Sequence, residues 1–231
     1  MENPVSPAHP VIVAIDGPSG TGKSSTSRAV AVRLGLSYLD TGAQYRAITW
    51  WMLSNGVDVN DPVAVADAVD KPSIVSGTDP GGPAISVDGL DASGPIRSQE
   101  VTDAVSAVSA VPEVRARLVA YQRATAAAAP AGIVVEGRDI GTTVLPAATV
   151  KIFLTASAEA RAARRSGELN GALSVAATQA ALIRRDAADS GRTTSPLAKA
   201  DDAIEVDTTE LGLEQVVERV VTLVEEKRAA R

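Results

Sequence analysis

The chain contains no cysteine and a single histidine, His9, in 231 residues. Without cysteine there is no disulfide framework and no thiolate nucleophile or metal ligand, a composition suited to a reducing cytoplasm. With its one histidine in a proline-rich opening stretch, the chain lacks the parts for histidine triads and histidine-ligated metal sites. Aromatics make up 3% of residues, and no run approaches the roughly 18 apolar residues of a membrane helix. Residues 1–10 show no basic region leading into an apolar core, so they do not read as a signal peptide. A frayed tail over 1–10 and a cytoplasmic location, with no membrane partner, are expected. Positive charge is also short. A formal net charge of −6 argues against a nucleic acid polymer as partner, because polyanion binding needs clustered positive charge. A small phosphorylated ligand remains open.

What is present is ordinary for a globular chain: 45% hydrophobic and 22% charged residues, enough for one domain, or one core with an insertion. The 22 basic residues divide into 17 arginines and 5 lysines. Arginine's planar fork of donors matches phosphate oxygens bidentately. Codon bias explains the excess equally well, as the 41 alanines suggest. Where the arginines fall decides between the two.

Residues 11–15 form a β-branched run, the mark of a strand buried on both faces. Further short strands are expected near 38–40, 133–135, 150–154 and 203–206, and helices from about 23 to 34, 41 to 53, 97 to 110, 112 to 128, 158 to 165, 174 to 190 and 213 to 228. A weak short helix fits 61–70. Between Pro72 and Gly94 the chain turns rich in Gly, Pro, Asp and Ser around short alternating runs, which predicts a small antiparallel β-insertion. Alternating strands and helices elsewhere predict an α/β fold with a parallel sheet. Trp50 and Trp51 fall in a helical run and are expected to pack against the insertion.

Gly17-Pro18-Ser19-Gly20-Thr21-Gly22-Lys23-Ser24, followed by Ser25, fits the phosphate-loop pattern without substitution, with a strand before it and a helix after it. The glycines let backbone N–H groups face a β-phosphate, and the helix N-terminus adds positive potential. Lys23 would bridge β- and γ-phosphates, and Ser24 would ligate Mg²⁺. A guanine-reading segment is missing: Ala198-Lys199-Ala200-Asp201 lacks its first residue and precedes its strand. Transfer to an alcohol benefits from a base, whereas transfer to a phosphate meets an acceptor that is already ionised and must overcome repulsion between anions. Arginines fall near the expected strand ends: Arg46, then Arg138 after Glu136-Gly137, then Arg185 and Arg192 with Asp189 on one helix face. Glu136, directly at a strand end, is expected near Mg²⁺ through water. This pattern favours a phosphate acceptor. A kinase of another acceptor such as UMP, an alcohol kinase with Asp40 as base, and a nucleotide-dependent switch remain alternatives.

The phosphate loop, Leu39-Asp40-Thr41-Gly42-Ala43-x-Tyr45-Arg46, Gly94-x-Ile96-Arg97-x-Gln99-Glu100, Glu136-Gly137-Arg138-Asp139-Ile140-Gly141-Thr142 and Val150-Lys151-Ile152-Phe153-Leu154 together resemble the bacterial cytidylate kinases, from about residue 11 to 228. The resemblance implies a three-layer α/β/α phosphate-loop fold with a five-stranded parallel sheet. It implies a core at 11–60, 111–157 and 193–231, an acceptor-binding insertion at about 61–110 and a short helical lid at about 158–192. The implied reaction is transfer of the γ-phosphoryl of ATP to CMP or dCMP, with Mg²⁺, by a monomer. By position, Ser106, Arg115 and Asp139 resemble the cytosine readers. Arg46, Arg138 and Arg192, with Thr41 nearby, resemble the acceptor-phosphate clamp. Arg97 is counted with this acceptor side. Arg185 and Asp189 resemble the sugar contacts, and Arg161 and Arg165 the lid residues reaching the donor phosphates. Lys23, Arg138, Arg161, Arg165 and Arg192 are the expected catalytic set.

Overall fold

The computed structural model describes residues 10–168 and 174–230. The expected tail, apart from Pro10, and part of the short polar segment between the helices expected to form a lid lie outside the described residues. In chain order, β1 (Val11–Asp16) leads through the glycine-rich loop into α1 (Lys23–Leu34), then β2 (Ser37–Asp40) and α2 (Thr41–Ser54). The insertion holds α3 (Pro62–Ala68) and a three-stranded antiparallel sheet of β3 (Ile74–Ser76), β4 (Ile85–Val87) and β5 (Leu90–Asp91). A 3₁₀ turn at Pro95–Arg97 precedes α4 (Gln99–Val108), which Ser98 caps by accepting the Val101 N–H. The helix expected from residue 97 therefore begins two residues later, because Ser98 takes the cap position. There follow α5 (Pro112–Ala127), with proline at its first position, then β6 (Gly132–Gly137), a π-type turn at Ile140–Val144, and β7 (Val150–Thr155). The chain closes with α6 (Ala158–Glu168), α7 (Val175–Ser190), β8 (Ile204–Asp207) and α8 (Leu213–Ala229).

The main sheet is parallel throughout, in the order β2-β6-β1-β7-β8. β6 is buried along its whole length, which explains its unbroken Ile-Val-Val run. On one face Val13, Ile15 and Ile152 pack with Val30 of α1 and Val217, Val220 and Val224 of α8. On the other, Ile133, Val135 and Leu39 pack beneath Ala126 of α5 and Val144. This is the expected α/β/α sandwich.

α2 is the junction. Ile48 and Met52 pack with Val65, Val105 and Leu118, while Ala47 packs with Ile85, Val87 and Ile96 of the insertion. Trp50 and Trp51 lie against that second cluster, and Trp51 Nε1 donates to Asp88 at 2.7 Å. Because all five strands run the same way, their carboxyl ends gather on one side. There β1 and β6 pair Asp16 with Gly137, and β2 and β6 pair Asp40 with Glu136. Open α/β sheets hold their ligands at this end.

Candidate active site

The phosphate loop is pressed close to its neighbours. Gly17 has φ +146°, and a Cβ there would stand 2.2 Å from the Leu154 carbonyl oxygen, so only glycine fits. Gly22, at φ 85°, turns the chain into α1 without any side-chain cap. That leaves the first N–H groups of α1 open to an anion. Lys23 is buried and its Nζ donates to the Pro18 carbonyl at 2.6 Å. Burial, then the neighbouring Arg138, hold its pKa well below the usual lysine value. Ser24 and Ser25 lie exposed at the helix start. From α6, Arg161 donates to the Ser19 carbonyl at 3.2 Å and pairs with Asp186 of α7, which also accepts the Ser19 N–H at 3.3 Å. α6 and α7 are thus docked on the loop. Arg165, on α6, adds its charge to the field on Arg46 and Arg185.

Beside the loop lies a cavity lined by Thr41, Gly42, Tyr45, Val105, Ser106, Ser109, Arg115, Gly137, Arg138, Asp139, Arg185, Asp189 and Arg192. Buried Arg115 and Asp139 form an ion pair, with the Arg115 guanidinium 5.5 Å from the Tyr45 ring centre. Arg115 also donates to the Ser109 carbonyl at 3.3 Å. Also lining the cavity, Asp189 is fully buried and holds two arginines, Arg138 Nε at 3.0 Å and Arg192 at 2.5 Å. Arg138 reaches further, donating to the Gly17 carbonyl at 2.9 Å and the Ser19 hydroxyl at 2.6 Å. It therefore stands between the phosphate loop and the cavity.

The positive charge here exceeds what the carboxylates answer. Burial, then Arg138 and Arg46, push Arg185 down to about 9; burial and Arg165 push Arg46 down to about 10; and burial lowers Arg192. The Nε atoms of Arg115, Arg185 and Arg192 are buried without a hydrogen-bond partner. A buried donor left unpaired costs roughly 1–3 kcal/mol, more when it is charged. Donors left open in this way suit an anion with several acceptor oxygens.

A carboxylate pair, Asp40 and Glu136, stands at the neighbouring ends of β2 and β6. Glu136 is buried, accepts the Tyr38 hydroxyl at 2.5 Å and has its second oxygen, Oε2, unpartnered. Burial and the nearby Asp40 push its pKa up to about 7. Among the described residues no three His, Cys, Asp or Glu side chains gather to hold a metal. One or two carboxylates and a hydroxyl are what Mg²⁺ takes from protein when phosphate and water complete its shell. The orphaned Glu136 oxygen, with Asp40 and Ser24 alongside, fits that ion.

Eight of the ten residues expected on the acceptor side, Thr41, Ser106, Arg115, Arg138, Asp139, Arg185, Asp189 and Arg192, line this one cavity. Two do not. Arg46 is tied to the insertion, donating to the Ile96 carbonyl at 3.3 Å and Thr102 Oγ1 at 3.0 Å, and Arg97 is exposed on its 3₁₀ turn. Thr41 donates its hydroxyl proton to the Glu136 carbonyl at 2.7 Å, so it can only accept from a ligand. Sequence reasoning passed over Asp16, Tyr45, Ser109 and Asp186. Ser109 is three residues beyond Ser106, hence on the same helix face, and Arg192 donates to its hydroxyl at 2.8 Å. Asp186 adjoins Arg185, but nothing local announces its reach to Ser19.

A model of the cytidylate kinase family matches residues 13–226. The chain belongs to the cytidylate kinase family. A cytidylate kinase of Streptomyces coelicolor is 76% identical over 232 residues, covering 100% of both chains, and one of Nocardia farcinica is 55% identical over 218 residues, covering 93% of this chain and 94% of its own. Among solved structures, a gluconokinase from Sinorhizobium meliloti aligns over 96% of this chain and 95% of its own at 14% identity, with a TM-score of 0.52. That likeness speaks to the fold alone. Among the described residues, no helix is long and apolar enough to cross a membrane.

Proposed function

We propose that the chain transfers the γ-phosphoryl group of ATP to CMP or dCMP, giving ADP and CDP or dCDP, as a cytoplasmic monomer of pyrimidine nucleotide metabolism. The observation that carries this reading is the cavity that brings together an Arg115–Asp139 pair and an arginine cluster only partly neutralised by Asp189. A nucleoside monophosphate has parts to match both: a hydrogen-bonding base edge, a sugar and a dianion. Cytosine offers an N4 donor for the Asp139 carboxylate, and its N3 and O2 accept from Arg115 and the Ser106 hydroxyl. Uracil presents a carbonyl at the N4 position, which would meet the carboxylate acceptor to acceptor. Such a mismatch in a site built for a donor is strongly penalised.

The acceptor phosphate is ionised, so no base is required. Arg138, Arg185, Arg192 and, from the rim, Arg46 neutralise it and hold it in line with the donor. Asp189 fixes Arg138 and Arg192 while leaving them a net positive charge. The phosphate loop holds the donor, Lys23 exchanging the Pro18 carbonyl for phosphate oxygens. Arg161 and Arg165 reach the donor from the lid, and lid closure excludes water that would otherwise hydrolyse ATP. Ser24 directly, and Glu136 through water, would hold Mg²⁺. The ion supplies neutralisation of charge building on the phosphoryl oxygens. The core, insertion and lid expected from sequence would divide the work in this way, and α2 packs with both of the clusters that join core and insertion.

A coupled ADP-release assay across CMP, dCMP, UMP, AMP and GMP tests the reading. CMP and dCMP should exceed UMP and both purine nucleotides. Equal rates with all five, or none above ATP alone, would refute it.

A further inference from the structure

Asp16, the last residue of β1, is 4% exposed and carries a carboxylate between two loops of different duty. Its Oδ1 accepts the Ile140 N–H at 2.9 Å and its Oδ2 the Gly141 N–H at 2.8 Å. Those are the first residues after Asp139, where the chain leaves β6 and enters its π-type turn. On the other side Asp16 is joined directly to Gly17 and the phosphate loop. A second tie runs in parallel, because Arg138 donates to the Gly17 carbonyl and the Ser19 hydroxyl. Asp139 is thus held from both sides against the phosphate loop: Arg138 before it, Ile140 and Gly141 after it.

We infer that Asp16 is a positioning residue for acceptor specificity, aiming Asp139 at the nucleobase by clamping the turn that follows it. This rests on the proposed role of Asp139 as base reader. Two separate N–H groups need two acceptors on one short side chain, and a carboxylate alone provides them. Asparagine would accept one and turn a donor toward the other. Charge adds direction, since the ionised Asp16 repels the Asp139 carboxylate, which is paired with Arg115 on its far side. Burying a carboxylate is costly, and burial pushes Asp16 up to about 6. A site concerned with stability alone would be better served by a neutral side chain. The turn is also packed against this carboxylate: a Cβ on Gly141 would meet Lys151 Cδ at 3.1 Å and Asp16 Oδ2 at 3.4 Å.

The test measures kcat and KM for CMP, UMP and ATP, with a thermal melt, on the full chain as wild type, Asp16→Asn and Gly141→Ala. Asp16→Asn should raise KM for CMP about tenfold and narrow the CMP-over-UMP preference by a similar factor, with KM for ATP within threefold. Gly141→Ala, whose Cβ would press on Lys151 Cδ and so displace the turn that Asp16 clamps, should shift KM for CMP and the preference the same way by a smaller factor, and it serves alone if Asp16→Asn does not fold. An unchanged CMP-over-UMP preference in the folded variants overturns the inference. So does a parallel loss for all three nucleotides that tracks the melting temperature, which marks a purely structural residue. A wild type without preference for CMP refutes the proposed function itself, a separate outcome.

Discussion

Asp139→Asn isolates base recognition from phosphoryl transfer. The Asp139 and Arg115 side chains are 7% and 5% exposed, so the substitution removes one charge from a buried pair. Leaving a buried partner bare costs about 3–5 kcal/mol; asparagine keeps one oxygen toward Arg115, which puts the expected loss near the lower end, about 3 kcal/mol. For a chain of this length that corresponds to a melting temperature lower by roughly 6–12 °C. The effect on the substrate is separate. A hydrogen bond to a charged acceptor contributes about 1–1.5 kcal/mol more than one between neutral groups, so KM for CMP should rise about tenfold. UMP should fare differently, since an amide can turn its N–H₂ toward the uracil carbonyl that a carboxylate rejects. The ratio of kcat/KM for CMP over UMP should therefore fall at least about tenfold, while KM for ATP stays within twofold. Coupled ADP release with each acceptor gives the ratio, and a urea or thermal melt gives the stability loss. A lower melting temperature with an unchanged CMP-over-UMP ratio would reduce Asp139 to a structural partner of Arg115. Loss of ATP affinity instead would assign it to the donor side.

Three further outcomes follow from the same charges. Lys23→Met should lower kcat by roughly a thousandfold while CMP binding, measured by calorimetry, stays within threefold, because the lysine lies in the phosphate loop and outside the acceptor cavity. Arg185→Met should raise the melting temperature of the ligand-free protein and weaken CMP binding at least about tenfold, because it relieves burial and arginine–arginine repulsion but removes a donor for the anion. Asp16 titrates upward on folding, from 3.8 to about 6, so the folded state binds the extra proton. Its contribution is then fully present below about pH 4 and lost as pH rises through 6, a change of about 3 kcal/mol. The melting-temperature difference between Asp16→Asn and wild type should accordingly move in the variant's favour between pH 4.5 and 7.5; a difference independent of pH contradicts that shift.

The fold was legible where one physical rule acts locally. β-branched runs bounded by turns mark β1, β6 and β7, and the glycine-rich run between a strand and a helix marks the phosphate loop. The shift to Gly, Pro and Asp marks the insertion sheet, although its third strand is only Leu90–Asp91, too short to carry a pattern. The start of α4 was misjudged by two residues, since Ser98 reads equally well as helix interior or cap until the 3₁₀ turn before it is seen. Within the cavity, Arg185 and Asp189 share a face of α7 and could be associated by spacing; Arg192, expected on the same face, lies past the helix end at Ser190 and reaches Asp189 from the following loop. Ser109 could have been found the same way. Asp16 and Asp186 could not, because their partners lie 124 and 167 residues away and depend on strand order. Arg46 and Arg97 show the converse. Their motifs set them beside the site, yet neither lines the cavity: Arg46 Nη1 is held by Ile96 and Thr102 while its charge still acts on Arg185, and Arg97 is exposed on the insertion.

Net charge and local charge have come apart in this chain, and the separation has a cost that explains the geometry. A formal charge of −6 coexists with a cavity whose buried arginines depress one another. Asp189 and Asp139 each neutralise part of that excess, and neither is free to neutralise it all, since a fully paired cluster would have no attraction left for a phosphate. Buried Nε atoms without protein partners fit the proposed anion site, which would make the ligand-free state less stable than its packing allows. Binding repays this. A ligand at a hundredfold its dissociation constant adds about 2.7 kcal/mol of stability. The enzyme is thus expected to be most stable when its acceptor cavity is filled, with the same arginines that weaken the empty site holding the phosphate in place.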